Sequence, residues 1–279
     1  MTTWRPEEGL PAPRFGAREW LRVVRRGVPV AALVTAGFLL MVLSRLIERP
    51  IFGARRPVTP FLTQGVSRKV FRLIGMRHIS HGQPLRGRGA VVANHVSWLD
   101  IFALNARKNI YFVAKAEVAS WPAIGPLARG TGTVFIRRER TDAKRQEAVF
   151  RERLDAGHRL LFFPEGTSTD GLRVLPFKPT LFAAFFAPHL RDSLQIQPVT
   201  LVYHAPEGED PRFYGWWGTM DFASHLLKVL AARKQGRVEV IYHPPVSVAD
   251  FADRKVLAAE MELCVRSGLE GALAPHARK

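Results

Sequence analysis

Cysteine is almost absent: one residue, Cys264, in a chain of 279. That excludes an intrachain disulfide and any cysteine metal cluster, and Cys264, inside an apolar-periodic segment, reads as a packing residue. Metal-ligand spacing is lacking as well. His158, His189, His204, His225 and His243 stand singly and read as structural or surface residues, so no metal is expected. No Walker or dinucleotide glycine pattern occurs, which removes the common nucleotide-binding frameworks. No internal repeat is evident, so 279 residues allow one ordinary domain with an appendage. Acidic residues are scarce: 24 Asp and Glu face 41 Lys and Arg, a formal net charge of +17. Sixteen of the basic and four of the acidic residues precede Gly89, so about +12 sits in the first third. The usual partners of such an excess are nucleic acid and anionic membrane.

Charge itself is missing from residues 28–43, with Arg25-Arg26 before them and Arg45 after. An apolar stretch flanked by arginines points to a membrane and away from nucleic acid. As a helix the stretch would be about 24 Å long, short of a ~30 Å hydrocarbon core. Spanning would need residues 21–24 or snorkelling arginines. Pro29 falls in the first turn of the helix so drawn, where a missing N–H is tolerated. A spanning or deeply inserted anchor is the first expectation and an interfacial helix the second. A cleaved signal peptide does not fit the long preceding region. In the next stretch, residues 61–76, Phe61, Leu62, Val66, Val70, Phe71 and Ile74 recur at near-helical spacing, with Arg68, Lys69 and Arg72 on other faces. That basic amphipathic pattern suits an anionic surface or ordinary packing on the domain equally.

From Gly89 onward strands and helices alternate. Strands are expected at 90–93, 110–113, 134–136, 160–163, 196–202 and 238–242. Helices are expected at 98–105, 119–129, 141–155, 179–186, 222–233 and 248–269. The fold class is therefore α/β, with a mixed, largely parallel central sheet flanked by helices and an N-terminal membrane-anchoring helical segment. The chain divides into a basic segment, 1–60, carrying the apolar helix at about 28–43, and a main domain, 61–279.

The chemistry centres on residues 90–100, Ala-Val-Val-Ala-Asn-His-Val-Ser-Trp-Leu-Asp. The apolar run is of strand type and ends abruptly at Asn94-His95, and Ser97 reads as the N-cap of a following helix. A turn and one helical turn bring Asp100 under His95. A carboxylate on one ring nitrogen fixes the tautomer and leaves the other nitrogen as a base for a hydroxyl proton.

Three further blocks follow in order: residues 132–138 (Gly-Thr-Val-Phe-Ile-Arg-Arg), Phe163-Pro164-Glu165-Gly166-Thr167, and Gln197-Pro198-Val199. With Asn94-His95 to Asp100 they resemble the four blocks of the glycerolipid acyltransferase family, the 1-acylglycerol-3-phosphate acyltransferases, over roughly residues 70–205. The resemblance implies a membrane-bound O-acyltransferase that carries a fatty acyl group from acyl-CoA or acyl carrier protein to the free hydroxyl of a lyso-lipid. It implies no cofactor beyond that co-substrate, and a catalytic domain on the cytoplasmic side of the inner membrane. His95 and Asp100 are then the catalytic pair, and Asn94, Lys115, Arg138, Glu165, Gly166 and Thr167 surround the substrate. A thioester is already activated, and no Gly-x-Ser-x-Gly elbow is present, so direct attack by the acceptor hydroxyl is favoured over an acyl-enzyme. Oxyanion donors would come from backbone N–H groups at 96–98 or from Lys115. Arg138 matches the arginine that grips an acceptor phosphate, and Glu165 would accept from the headgroup or orient Arg138. Gly166 would let the backbone come close to the ligand.

The third block departs from a common form in one place: Ser168 stands where an arginine often follows Gly-Thr. One phosphate-binding charge is absent. Lysophosphatidic acid is the first expected acceptor, giving phosphatidic acid; lyso-ornithine lipid is the alternative, since chains with Phe-Pro-Glu-Gly-Thr-Ser-Thr-Asp-Gly resemble both. A catalytically silent basic membrane-binding protein is a rival from another class, and the intact His95/Asp100 pair speaks against it.

Overall fold

The computed structural model describes residues 15–122, 124–136 and 143–274. The chain opens with two helices, α1 (Ala17–Phe52) and α2 (Thr59–Ile74). There follow β1 (Arg77–His81), β2 (Gly89–Ala93), α3 (Asp100–Arg107), β3 (Tyr111–Lys115), α4 (Ile124–Thr131), β4 (Val134–Ile136), α5 (Ala143–Asp155) and β5 (Arg159–Phe162). The last part carries α6 (Pro188–Arg191), β6 (Gln195–His204), α7 (Phe222–Ala231), β7 (Arg237–Tyr242), β8 (Val246–Ser247) and α8 (Arg254–Leu273).

The sheet order is β1-β7-β6-β2-β5-β3-β4, with β8 beside β6. Five neighbours, β6, β2, β5, β3 and β4, run parallel; β7 and β8 are antiparallel to β6, and β1 is parallel to β7. The sheet is mixed and largely parallel, as the alternating pattern predicts. Its consequence is that five carboxyl ends meet at one edge, where α/β proteins place their ligands.

Period-two alternation sorts the strands onto two cores. Val91, Ala93, Val199, Leu201 and Tyr203 face one cluster with Phe71, Ile74, Leu99 and Leu104. Ala90, Val92, Ile196 and Val202 face the other, with Leu257, Met261 and Val265. The α2 stripe is thereby settled in part as ordinary packing: Val70, Phe71 and Ile74 are buried in the domain while Phe61 stays exposed.

The apolar stretch 28–43 is the middle of a helix of 36 residues, about 54 Å long. Pro29 consequently lies inside the helix, not in its first turn. The helix holds there because it is docked on both sides of the proline. Arg22 Nε donates to Ala231 O at 2.6 Å, and Arg26 Nη1 donates to Leu230 O and Ala232 O at 2.8 and 2.5 Å, closing the end of α7. Cations suit that end, where carbonyls lack intrahelical partners and the dipole is negative. Further along, Gly37 lies against Val66 of α2, and a Cβ there would come within 2.5 Å of it. Glu48 then caps α2, accepting from Val58 N at 2.5 Å and from Thr59 N and Oγ1 at 2.9 Å. Arg68 of α2 donates to Ala106 O at 2.6 Å, at the end of α3.

Several expected boundaries move. Pro122 splits the helix expected at 119–129 into a 3-10 turn, Ala116–Ser120, and α4. Residues 179–186 form a 3-10 helix, Pro179–Phe186, that buries Phe182 and Phe185. The helix expected from 248 is a short 3-10 turn, then α8, which Asp253 caps by accepting from Lys255 N and Val256 N. The strands β1 and β8 were not expected: β1 reads Arg-His-Ile-Ser-His and β8 has two residues.

Candidate active site

The site is built on the turn that leaves β2. The strand is fully buried, and the chain must satisfy its polar groups as it exits. Asn94 does so across the sheet: its Nδ2 donates to Leu201 O at 2.9 Å and its Oδ1 accepts from Leu201 N at 2.8 Å. The amide is buried and spent on β6, which corrects its expected place against the substrate. Buried amides are held this way because an unpaired one is costly.

Asp100 is the first residue of α3 and fully buried. Its Oδ2 accepts from His95 Nδ1 at 2.7 Å, Val96 N at 2.8 Å and Ser97 N at 3.1 Å. Its Oδ1 accepts from the Tyr203 hydroxyl at 2.8 Å. Two expectations are corrected here. Ser97 is not the helix cap: the helix starts later, and Ser97 Oγ is buried with no hydrogen-bond partner among the described residues. The N–H groups of Val96 and Ser97 are not open to an oxyanion, because the carboxylate takes both. The reason is one of reach: a carboxylate at the first helical position can fold back on the turn before it, and its charge outcompetes a serine hydroxyl.

With Nδ1–H given to Asp100, the His95 lone pair is at Nε2. The His95 ring stacks on Phe163 with centroids 4.0 Å apart and planes 10° apart. Its side chain keeps 23% of its surface exposed, whereas that of Asp100 keeps none. A base open on one side and an orienting carboxylate sealed on the other can take a proton from a hydroxyl.

Glu165 lies beneath the same turn. Oε1 accepts from His95 N at 2.7 Å and Oε2 from Leu175 N at 2.8 Å. Burial pushes its carboxyl up to about 8 against the pull of these two donors, and the charge on Asp100 adds to the rise. Both oxygens are engaged with backbone, so its place is a clamp on His95, which the sequence did not suggest. Gly166 follows at φ 75°, closing a turn in which its N–H donates to Phe163 O at 3.0 Å; such a φ suits glycine. Among the described residues Thr167 Oγ1 reaches only the Ser168 carbonyl, at 3.4 Å. The Ser168 hydroxyl donates to Trp216 O.

Two loops hold the turn from outside. Thr169 N donates to His95 O at 2.9 Å, and Trp216 N to Val96 O at 2.8 Å. Gly171 presses on Val96, where a Cβ would come within 2.7 Å of a methyl group. Aromatic rings continue outward from the turn: Trp98 on Phe222 at 5.6 Å, Phe222 on Trp216 at 5.9 Å, Trp216 on Trp121 at 6.4 Å. Trp121 lines an open groove of about 510 Å³ with Ser120, Pro122, Pro126 and Arg129. Lys115 ends β3 opposite Ile136, at the same edge but two strands from His95. Arg138 lies outside the described residues.

Sequence reasoning missed Tyr203. It sits 103 positions from Asp100, but one signal was available: an aromatic with a polar tip inside the buried run 196–203 needs a partner for its hydroxyl.

A family model described as Acyltransferase matches residues 72–202. The chain is 57% identical over 248 residues to the lyso-ornithine lipid O-acyltransferase of Rhodobacter capsulatus, covering 89% of this chain and 90% of that one. It is 41% identical over 178 residues to the 1-acyl-sn-glycerol-3-phosphate acyltransferase of Neisseria meningitidis, covering 63% and 68%. Its fold is similar to the crystal structure of the 1-acyl-sn-glycerophosphate acyltransferase PlsC from Thermotoga maritima, with a TM-score of 0.58 at 20% identity, over 91% of this chain and all of that one. The blocks read from the sequence, the largely parallel sheet and these likenesses agree: the chain belongs to the acyltransferase family and is a lysolipid acyltransferase.

Proposed function

We propose that the chain is a lyso-ornithine lipid O-acyltransferase, which reverses the order in which the sequence ranked the two acceptors. The observation that carries it is the likeness to the Rhodobacter capsulatus protein over nine-tenths of both chains. Ser168 supports it: at the position where a second phosphate-binding guanidinium is absent, the hydroxyl closes onto the Trp216 carbonyl. In the proposed reaction His95 Nε2 takes the proton of the acceptor hydroxyl as its oxygen attacks the thioester carbonyl. The tetrahedral intermediate collapses with loss of the thiolate, and the imidazolium returns a proton to the sulfur. Asp100 holds the ring and balances the charge that forms on it. The aromatic wall from Trp98 to Trp121 suits an acyl chain, and the donor is acyl-CoA or acyl carrier protein.

The membrane is met through α1. The interval between Val30, packed on the core, and Gly37, packed on Val66, is about 10 Å of helix. A docked α1 leaves too short a free stretch for a ~30 Å core, which supports an interfacial helix with Leu39, Leu40, Leu43, Leu46 and Ile47 outward, all exposed. The inner membrane and its cytoplasmic side are the proposed location.

Purified protein offered lyso-ornithine lipid and lysophosphatidic acid, each with acyl-CoA and with acyl carrier protein thioesters, should acylate the first. Ser168→Arg should raise use of the second and impair the first, whose ammonium it repels. Turnover of lysophosphatidic acid alone would sink the proposal. Leu40→Glu with Leu43→Glu should release the protein from vesicles without unfolding it.

A further inference from the structure

We propose that Tyr203 is a positioning residue of the acyl-transfer site, fixing the Asp100 carboxylate that aligns His95. The carboxylate has two oxygens with different duties. Oδ2 serves the turn, taking His95 Nδ1–H and the N–H groups of Val96 and Ser97. Oδ1 has one protein partner among the described residues, the Tyr203 hydroxyl at 2.8 Å. Without it a fully buried carboxylate would have an empty oxygen, and rotation about its last bond would be free to draw Oδ2 off the imidazole. Tyr203 is well placed to prevent this because it cannot move. It is buried on β6, in register with Val238 of β7, and its ring lies against that of Tyr214 at 5.7 Å. Tyr214 is pinned in turn, donating to Gln235 and accepting from Gly236 N at 2.8 Å. Burial and the Asp100 charge hold the Tyr203 phenol far above its ordinary range, so it stays a donor at any working pH. β6 thus acts on the β2 turn twice, through Asn94 on Leu201 and through Tyr203 on Asp100.

The role also has an electrostatic side. A donor on Oδ1 withdraws charge from Oδ2, and so moderates how strongly Asp100 favours the protonated imidazole. The other ionisable groups around the pair are Glu165, clamped to His95 N, Arg266 of α8 behind Glu165, and Tyr214 with Arg26 behind Tyr203. Among the described residues none of them hydrogen-bonds to Oδ1.

The test is the pH profile of kcat for the lyso-lipid that the wild type acylates; it rests on His95 being the base. In Tyr203→Phe, kcat should fall roughly tenfold, KM should stay within about twofold, and the acid limb should move up by about half to one pH unit. The sign follows from the charge: with Oδ1 bare, Asp100 stabilises the imidazolium more, and the free base appears at higher pH. Tyr214→Phe disturbs the same packing without touching Asp100 and should leave the limb in place. Site-specific 3-fluorotyrosine at 203, a stronger donor that preserves the fold, should move the limb down and decides the matter if Tyr203→Phe does not fold. A wild type with an acid limb that neither replacement moves, or an equal movement in Tyr214→Phe, overturns the role of Tyr203 alone. A wild type with no acid limb overturns the base reading and this role with it.

Discussion

The N-terminal hairpin and the catalytic edge use one physical device, mostly with opposite signs. In the hairpin, arginines donate to carbonyls at helix ends: Arg22 and Arg26 close α7, and Arg68 reaches the end of α3. At the edge, carboxylates accept from backbone N–H groups: Asp100 holds Val96 and Ser97, and Glu165 holds His95 and Leu175. Each charge satisfies backbone that the fold leaves unpaired. The difference lies in what remains. In the hairpin the charges, Glu48 at the start of α2 included, hold backbone and govern no catalytic group, and their product is a docked helix pair. At the edge each carboxylate also governs a histidine, so the same interaction yields chemistry. Part of the basic excess of the first third, for which the apolar stretch points to a membrane, is therefore structural.

The largest expected effect separates the two regions by function. His95→Ala and Asp100→Asn should each lower kcat by about 10²–10⁴-fold, with cooperative unfolding retained. Their partners in the comparison, the docking arginines, should leave the turnover of folded protein unchanged. A folded His95→Ala protein with near-normal acyl transfer would break the chemical half of the comparison.

The next effect is on stability. Arg26 is 7% exposed and donates to two carbonyls. Arg26→Met keeps the apolar stem and leaves the end of α7 without its donor, at a cost of about 1.5–3 kcal/mol. Chemical denaturation should show that loss, with kcat per folded molecule unaltered. A midpoint equal to that of the wild type would mean that water serves the α7 end as well as arginine does, and the hairpin would owe its place to apolar contacts alone.

These two regions were not equally legible. His95 and Asp100 are five positions apart, so the pair and its strand-to-helix turn could be read from one stretch of sequence. The sheet was legible because its parallel strands are short apolar runs. Arg26 and Leu230 are 204 positions apart, and an arginine beside an apolar run carries no mark of whether it faces a phospholipid or a helix end. Asn94 and Glu165 were legible as residues and misread as roles. Polar side chains next to a buried strand were assigned to a ligand, whereas the exit from the sheet needs them for its own backbone. Ser97 was misread for the same reason in reverse: the hydroxyl fits a cap by propensity, but Asp100 supplies charge as well as reach.

The smallest expected effect sharpens the comparison within the catalytic edge, by asking whether its two carboxylates carry equal charge. Glu165 has its carboxyl pushed up from 4.5 to about 8, chiefly by burial, with Asp100 adding repulsion. A group whose pKa is raised on folding binds its proton more tightly in the native state. Its contribution to stability is complete below the unfolded value and is lost as pH rises through the folded one. Between about pH 4.5 and pH 8 the wild type should lose stability relative to Glu165→Gln, by at most about 1.4 kcal/mol per pH unit for one proton. His158 and His225, pulled down to about 3 by burial, act in the other direction: their contribution is lost as pH falls below the ordinary imidazole range. They are common to both proteins and cancel in the difference. Glu165→Gln places an amide where two N–H donors converge, so its stability will be lower throughout, and the slope of the difference is the quantity that counts. A sloping difference means that Glu165 is protonated beside the histidine, which leaves to Asp100 the part of balancing His95 when it takes the hydroxyl proton. A flat difference would mean that the two backbone donors outweigh burial and that His95 works between two anions.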